Sequence, residues 1–99
     1  MQVQVHSIHF DADQKLITFI NEKLQKLTTF HDQIIGGEVF LRLEKSDVNE
    51  NKVAEIKLHV PGKDLFAKRQ CRTFEEATDD AVEALRRQIR KQRDKARSH

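Results

Sequence analysis

Polar and apolar residues alternate from the start of the chain. In "VQVHSIHF", Val3, Gln4, Val5 and His6 follow the two-residue period of a half-buried strand. Asp11 or Asp13 then offers an N-cap for "QKLITFINEKLQKL", where Leu16, Ile17, Ile20, Leu24 and Leu27 fall on one helical stripe. Lys15, Lys23 and Lys26 lie off that stripe. Gly36 and Gly37 punctuate, and "EVFLRLEK" returns to alternation, with Val39, Leu41 and Leu43 on one side and Phe40, Arg42 and Glu44 on the other. After the polar loop "SDVNEN", "AEIKLHV" alternates again, Ile56, Leu58 and Val60 inward and Lys57 and His59 outward. "PGKD" predicts a tight turn, because Pro61 fixes one dihedral and Gly62 can take a positive φ. "LFAKRQC" reads as a fourth strand, less cleanly patterned.

"TFEE" has the form of a capping box: the Thr73 hydroxyl can accept from the Glu76 amide while the Glu76 side chain reaches back. Phe74, Ala77, Ala81, Leu85 and Ile89 continue as the stripe of a second helix. After Ile89 the stripe stops. A helix from Phe74 to Arg97 would be about 36 Å long, at about 1.5 Å per residue, and its last turns would have no core to pack on.

The order is therefore strand, helix, three strands, helix. Strand–helix–strand implies a right-handed crossover and parallel pairing, and the short later connections imply antiparallel neighbours. Alternating strands suit a sheet covered on one face, and two helices with single apolar stripes suit the cover. The expected fold is α+β, β-α-β-β-β-α: a four-stranded mixed sheet with two helices packed on one face. Ninety-nine residues are expected to form a single domain, 1–99.

Charge changes the picture. The chain is only +2 overall, yet Leu85 to His99 hold Arg86, Arg87, Arg90, Lys91, Arg93, Lys95 and Arg97 against one acid, Asp94. On a helix, Arg86, Arg90, Arg93 and Arg97 form one ridge, and Arg87, Lys91 and Lys95 form a second beside it. Complementing the helix dipole would need one or two cations in the last turn. Seven point to a phosphate-bearing partner, and the preponderance of arginine suits bidentate phosphate contact.

Other chemistries find little support. The acids Glu75, Glu76, Asp79, Asp80 and Glu83 precede the bases on the same helix, where the dipole favours them, and no nucleophile accompanies them. His6 and His9 are an odd number apart on a predicted strand and would face opposite ways; with the scattered His31, His59 and His99 they form no metal set. No glycine-rich phosphate loop or serine elbow is present, so neither a cofactor nor catalysis is expected. Phe40 and Phe66 read as partial core at the sheet edge rather than as base-stacking platforms. The lone Cys71 cannot form an internal disulfide, which fits a reducing cytosol, and no stretch is apolar enough to span a bilayer. Nor does the apolar stripe overlap the basic segment, which counts against a membrane-surface helix. A general double-stranded RNA-binding module and an adaptor for an acidic protein stay open beside a dedicated RNA partner.

"EKLQKL" with Lys23 and Lys26, "VFLRLEK", "AEIKLHVPGKDLFA" and "ATDDAVEALRRQIRKQRDK" together resemble the ribosome hibernation-promoting factor family, also known as ribosome-associated inhibitor or sigma-54 modulation proteins. The resemblance spans the whole chain and is most specific at Asp79, Leu85, Arg87, Gln88 and Lys91. It implies the same β-α-β-β-β-α fold. It also implies a cytoplasmic, non-enzymatic inhibitor of translation that occupies the mRNA and tRNA channel of the small ribosomal subunit when growth slows. Lys23 and Lys26 match family positions in the first helix that contact ribosomal RNA, and Arg86, Arg87, Arg90, Lys91 and Lys95 fall on the basic stretch of the second. Ribosome modulation factor is a further partner that the resemblance admits without requiring it, and a monomer is expected off the ribosome. Two departures stand out. Thr73, Phe74 and Glu75 replace an Asp-Met-Tyr common in the family, and the chain ends at His99, as in the short class that lacks the ribosome-pairing domain.

Overall fold

The computed structural model describes residues 1–29 and 31–97, the last five of them (93–97) as backbone only. The elements are β1 (Gln2–Ser7), α1 (Gln14–Leu27), β2 (Gly36–Leu43), β3 (Lys52–Val60), β4 (Lys63–Cys71) and α2 (Phe74–Arg97). The expected α+β order is present, and the strands lie in the sheet as β1-β2-β3-β4. β1 pairs parallel with β2, and β2–β3 and β3–β4 pair antiparallel, which makes the sheet mixed.

Register sorts the two faces. Val5, Val39, Ile56 and Ala67 lie in one row across the four strands, and Leu58 opposite Leu65 continues the same face. Both helices bury their stripes on it: Leu16, Ile20, Leu24 and Leu27 from α1 join Phe74, Ala77, Ala81, Val82, Leu85 and Ile89 from α2 in one core cluster. Small side chains at Ala77, Ala81 and Ala84 let α2 sit close to β3 and β4.

Caps set where the helices begin. Asp13, not Asp11, is the N-cap of α1, its carboxylate accepting from the Leu16 amide at 2.8 Å. The Thr73 hydroxyl accepts from the Glu76 amide at 3.0 Å, so one half of the expected capping box opens α2; among the described residues the Glu76 side chain makes no return bond. Gly62 takes φ +86° in the turn between β3 and β4, as the turn chemistry requires. At Gly37 the backbone approaches closely: an added Cβ would lie 3.2 Å from Leu58 Cδ2.

Four sequence expectations are corrected. Leu43 is the last residue of β2, opposite Lys52 at the start of β3, and at this strand end it is 52% exposed. Ile17 is only half-buried, at the flank of its helix's stripe rather than on it. Phe40 and Phe66 are outside the core cluster, on the sheet face opposite the helices; Phe66 is 49% exposed, and Phe40 stacks on His6 with centroids 4.9 Å apart. His9 lies beyond the end of β1 with φ +66°, so strand alternation does not govern it.

Candidate nucleic-acid interface

The directions of the helices follow from the sheet. α1 runs back between the parallel strands β1 and β2, and α2 runs back along β4, which is itself parallel to β1 and β2. The two helices therefore run the same way, side by side. Lys23 of α1 reaches Asp79 of α2 at 3.1 Å, and its ammonium sits 5.3 Å from the Phe19 ring centroid. α1 ends four residues after Lys23, whereas α2 continues for eighteen after Asp79 (97 − 79), so α2 outruns its neighbour.

The basic positions differ in what they touch. Lys26 is exposed in the last turn of α1, where a cation is favoured by the dipole. Arg86 is half-buried and pairs with Glu83 at 3.4 Å, one turn back on α2. Arg87, Arg90 and Lys91 are exposed. Ile89 is the last core residue among those described, so these cations straddle the point at which the core ends. The side chains of Arg93, Lys95 and Arg97 lie outside the described residues; their backbone continues the helix. Lys23 and Arg86 already hold carboxylates: the Lys23–Asp79 pair joins two helices and is hidden from sequence spacing, whereas Glu83–Arg86 is an i,i+3 pair within α2.

Lys63 was not expected at the site. It is the first residue of β4, two positions before the strand expected from the sequence, and α2 passes over it. Lys63, Leu65, Gln88, Lys91 and Gln92 line a groove of about 240 Å³. The signal was available in the "PGKD" turn, since a two-residue turn at Pro61–Gly62 makes Lys63 the first strand position.

The face opposite the helices is also charged, and several of its charges are paired. Arg42 donates to Glu44 at 2.9 Å and pairs with Glu55, which also receives Lys68 at 3.9 Å. The hydrogen bonds to Glu55 and then Glu44 raise the Arg42 pKa, and the Arg42 contact lowers that of Glu44. His59 bridges Asp64 at 3.0 Å and Glu38 at 3.1 Å, and His6 lies 3.6 Å from the same Glu38. The hydrogen bond to Asp64, then that to Glu38, raises the His59 pKa. Cys71 is buried beside Asp80, and burial pushes its thiol up to about 11, far from a reactive thiolate. Among the described residues no group of His, Cys, Asp and Glu could hold a metal ion, and no helix is long and apolar enough to cross a membrane.

The described residues thus form a small α+β domain whose final helix presents exposed Arg87, Arg90 and Lys91 around the point where its core ends. Comparison with known proteins identifies the family: residues 3–97 match the Sigma 54 modulation protein / S30EA ribosomal protein family, and the chain belongs to it. The ribosome hibernation promoting factor of Pseudomonas putida is 30% identical over 98 residues, covering 99% of this chain and 92% of that one. The proteins of the same name from Klebsiella oxytoca and Escherichia coli are each 27% identical over the full length of both chains. Among solved structures, a ribosomal subunit interface protein from Coxiella burnetii superposes with a TM-score of 0.84 at 18% identity, covering 94% of this chain and 98% of that one. The N-terminal domain of Thermus thermophilus Protein Y gives 0.78 at 21%, covering 92% and 98%. These two likenesses establish the fold.

Proposed function

We propose that this protein is a non-enzymatic, cytoplasmic ribosome hibernation factor. It binds the small ribosomal subunit through ribosomal RNA and inhibits translation by occupying the channel for mRNA and tRNA when growth slows. The observation that carries this reading is the run of exposed cations, Arg87, Arg90 and Lys91, on either side of the last described core residue, Ile89, of a helix that continues to Arg97. Family membership and the names of the P. putida, K. oxytoca and E. coli relatives support the same partner.

In this mechanism Lys26, Arg87, Arg90 and Lys91 contact backbone phosphates directly, and Arg93, Lys95 and Arg97 extend the row. Lys23 and Arg86 join when phosphate competes with Asp79 and Glu83 for them. Backbone contacts carry no base sequence, so the shape of the folded RNA supplies the specificity.

Co-sedimentation with purified ribosomes tests the proposal, run with and without mRNA and initiator tRNA. Wild type should sediment with small subunits and be competed away by the RNA ligands, and Arg86→Glu/Arg90→Glu/Arg93→Glu should stay at the top of the gradient. Binding that survives both competition and the triple change would overturn it. Equal affinity for plain duplex RNA would reassign the protein as a general double-stranded RNA-binding module.

A further inference from the structure

The groove between the start of β4 and α2 combines three features that a single RNA nucleotide could satisfy. First, Lys63 and Lys91 are exposed and line it together, and among the described residues no carboxylate lines it with them. The acid next to Lys63 in sequence, Asp64, is held by His59 at 3.0 Å. Second, its walls are fixed: Leu65 is 4% exposed, and the Gln88 amide donates to the Phe66 carbonyl at 2.8 Å, tying α2 to β4. Third, Gln92 Oε1 is buried without a hydrogen-bond donor among the described residues. A buried acceptor left in that state is costly, and a ligand that brings a donor recovers the cost.

We infer that this groove is a ribose–phosphate subsite specific for RNA. A phosphate lies between the Lys63 and Lys91 ammonium groups, and the 2′-hydroxyl of the same nucleotide donates to Gln92 Oε1. The 2′-hydroxyl is the group that lets a protein distinguish RNA from DNA. DNA would supply the phosphate and leave Gln92 without a donor. The inference rests on the RNA-binding reading above and adds Lys63 and Gln92, on the β4 side of the helix, to the cations already named.

The test uses the full chain, purified small subunits, a labelled RNA duplex, and the same duplex with 2′-fluoro in place of 2′-hydroxyl, which keeps the A-form and removes the donor. Wild type should bind the RNA duplex about 5- to 10-fold more tightly than the 2′-fluoro duplex, the worth of one net hydrogen bond. Gln92→Leu should lower RNA affinity to the 2′-fluoro level and leave 2′-fluoro affinity unchanged. Lys63→Glu should weaken binding to both duplexes and to small subunits by about 10-fold, and reduce the steepness of the salt dependence by about one. Because Lys63 is exposed, that variant reports on the groove even if Gln92→Leu fails to fold. Wild-type binding to small subunits with no loss in Lys63→Glu, or equal affinity for the two duplexes, would overturn the subsite and leave the RNA reading standing. No binding to small subunits or to either duplex would overturn both.

Discussion

The open face of the sheet and the basic end of α2 carry similar side chains and do different things with them. On the open face, Arg42 and Lys68 share Glu55, and His59 is held between Glu38 and Asp64. On α2, Arg86 pairs back with Glu83, whereas the exposed Arg87, Arg90 and Lys91 have no carboxylate partner among the described residues. Charge that meets its counterion within the fold tethers strands to one another. Charge that does not is left to attract a partner, and its strength depends on salt. Lys23 lies between these cases, paired with Asp79 yet 35% exposed.

The largest effect should come from the exposed cations of α2. Arg90→Glu/Lys91→Glu should weaken binding to small subunits by on the order of 100-fold while moving the thermal midpoint by no more than about 2 °C, as expected for exposed positions. A matching loss of stability, measured by circular dichroism melts, would mean these residues serve the fold instead. Glu55→Ala should do the reverse. Freed of their shared carboxylate, Arg42 and Lys68 lose the link between β2, β3 and β4, at a cost of about 1 kcal/mol in urea unfolding, and ribosome affinity should hold.

A pH series sharpens the comparison further. Contacts with Asp64 and Glu38 raise the folded-state pKa of His59 above its unfolded value. The stabilisation is therefore fully present below about pH 6.5 and is lost as pH rises through the folded pKa. The melting difference between wild type and His59→Gln should be about 2 °C at pH 5.5 and vanish by pH 8.5, the small size reflecting an exposed site. A difference that grows with pH would contradict the assigned cause. Asp79→Asn should have the smallest effect: about 0.5 kcal/mol or less in stability, with a two- to threefold gain in ribosome affinity as Lys23 is released. A loss of affinity would show instead that Asp79 positions Lys23 for RNA.

Most of the fold was legible because its patterns are local. Alternation in "AEIKLHV", the stripe from Leu16 to Leu27 and the Thr73 cap each specify structure within a few residues. The basic end was legible for the same reason, since helical spacing alone groups Arg86 with Arg90 and Arg87 with Lys91. What stayed hidden depends on partners distant in sequence. The Lys23–Asp79 pair needs two helices side by side, and the Lys63–Lys91 groove needs α2 to return along β4. Leu43 and Phe66 look like core by pattern, but the first ends its strand and the second lies on the uncovered face. Alternation tells which residues share a face without telling which face is covered.

The salt dependence of small-subunit binding tests the central claim most directly. If about five phosphates are neutralised by the basic helix, log affinity should fall against log salt with a slope near −4, at about −0.7 to −0.9 per contact. In Arg90→Glu/Lys91→Glu the slope should shrink toward about −2. A slope near zero in the wild-type protein would contradict the account, because the cations of α2 would then release no counterions on binding.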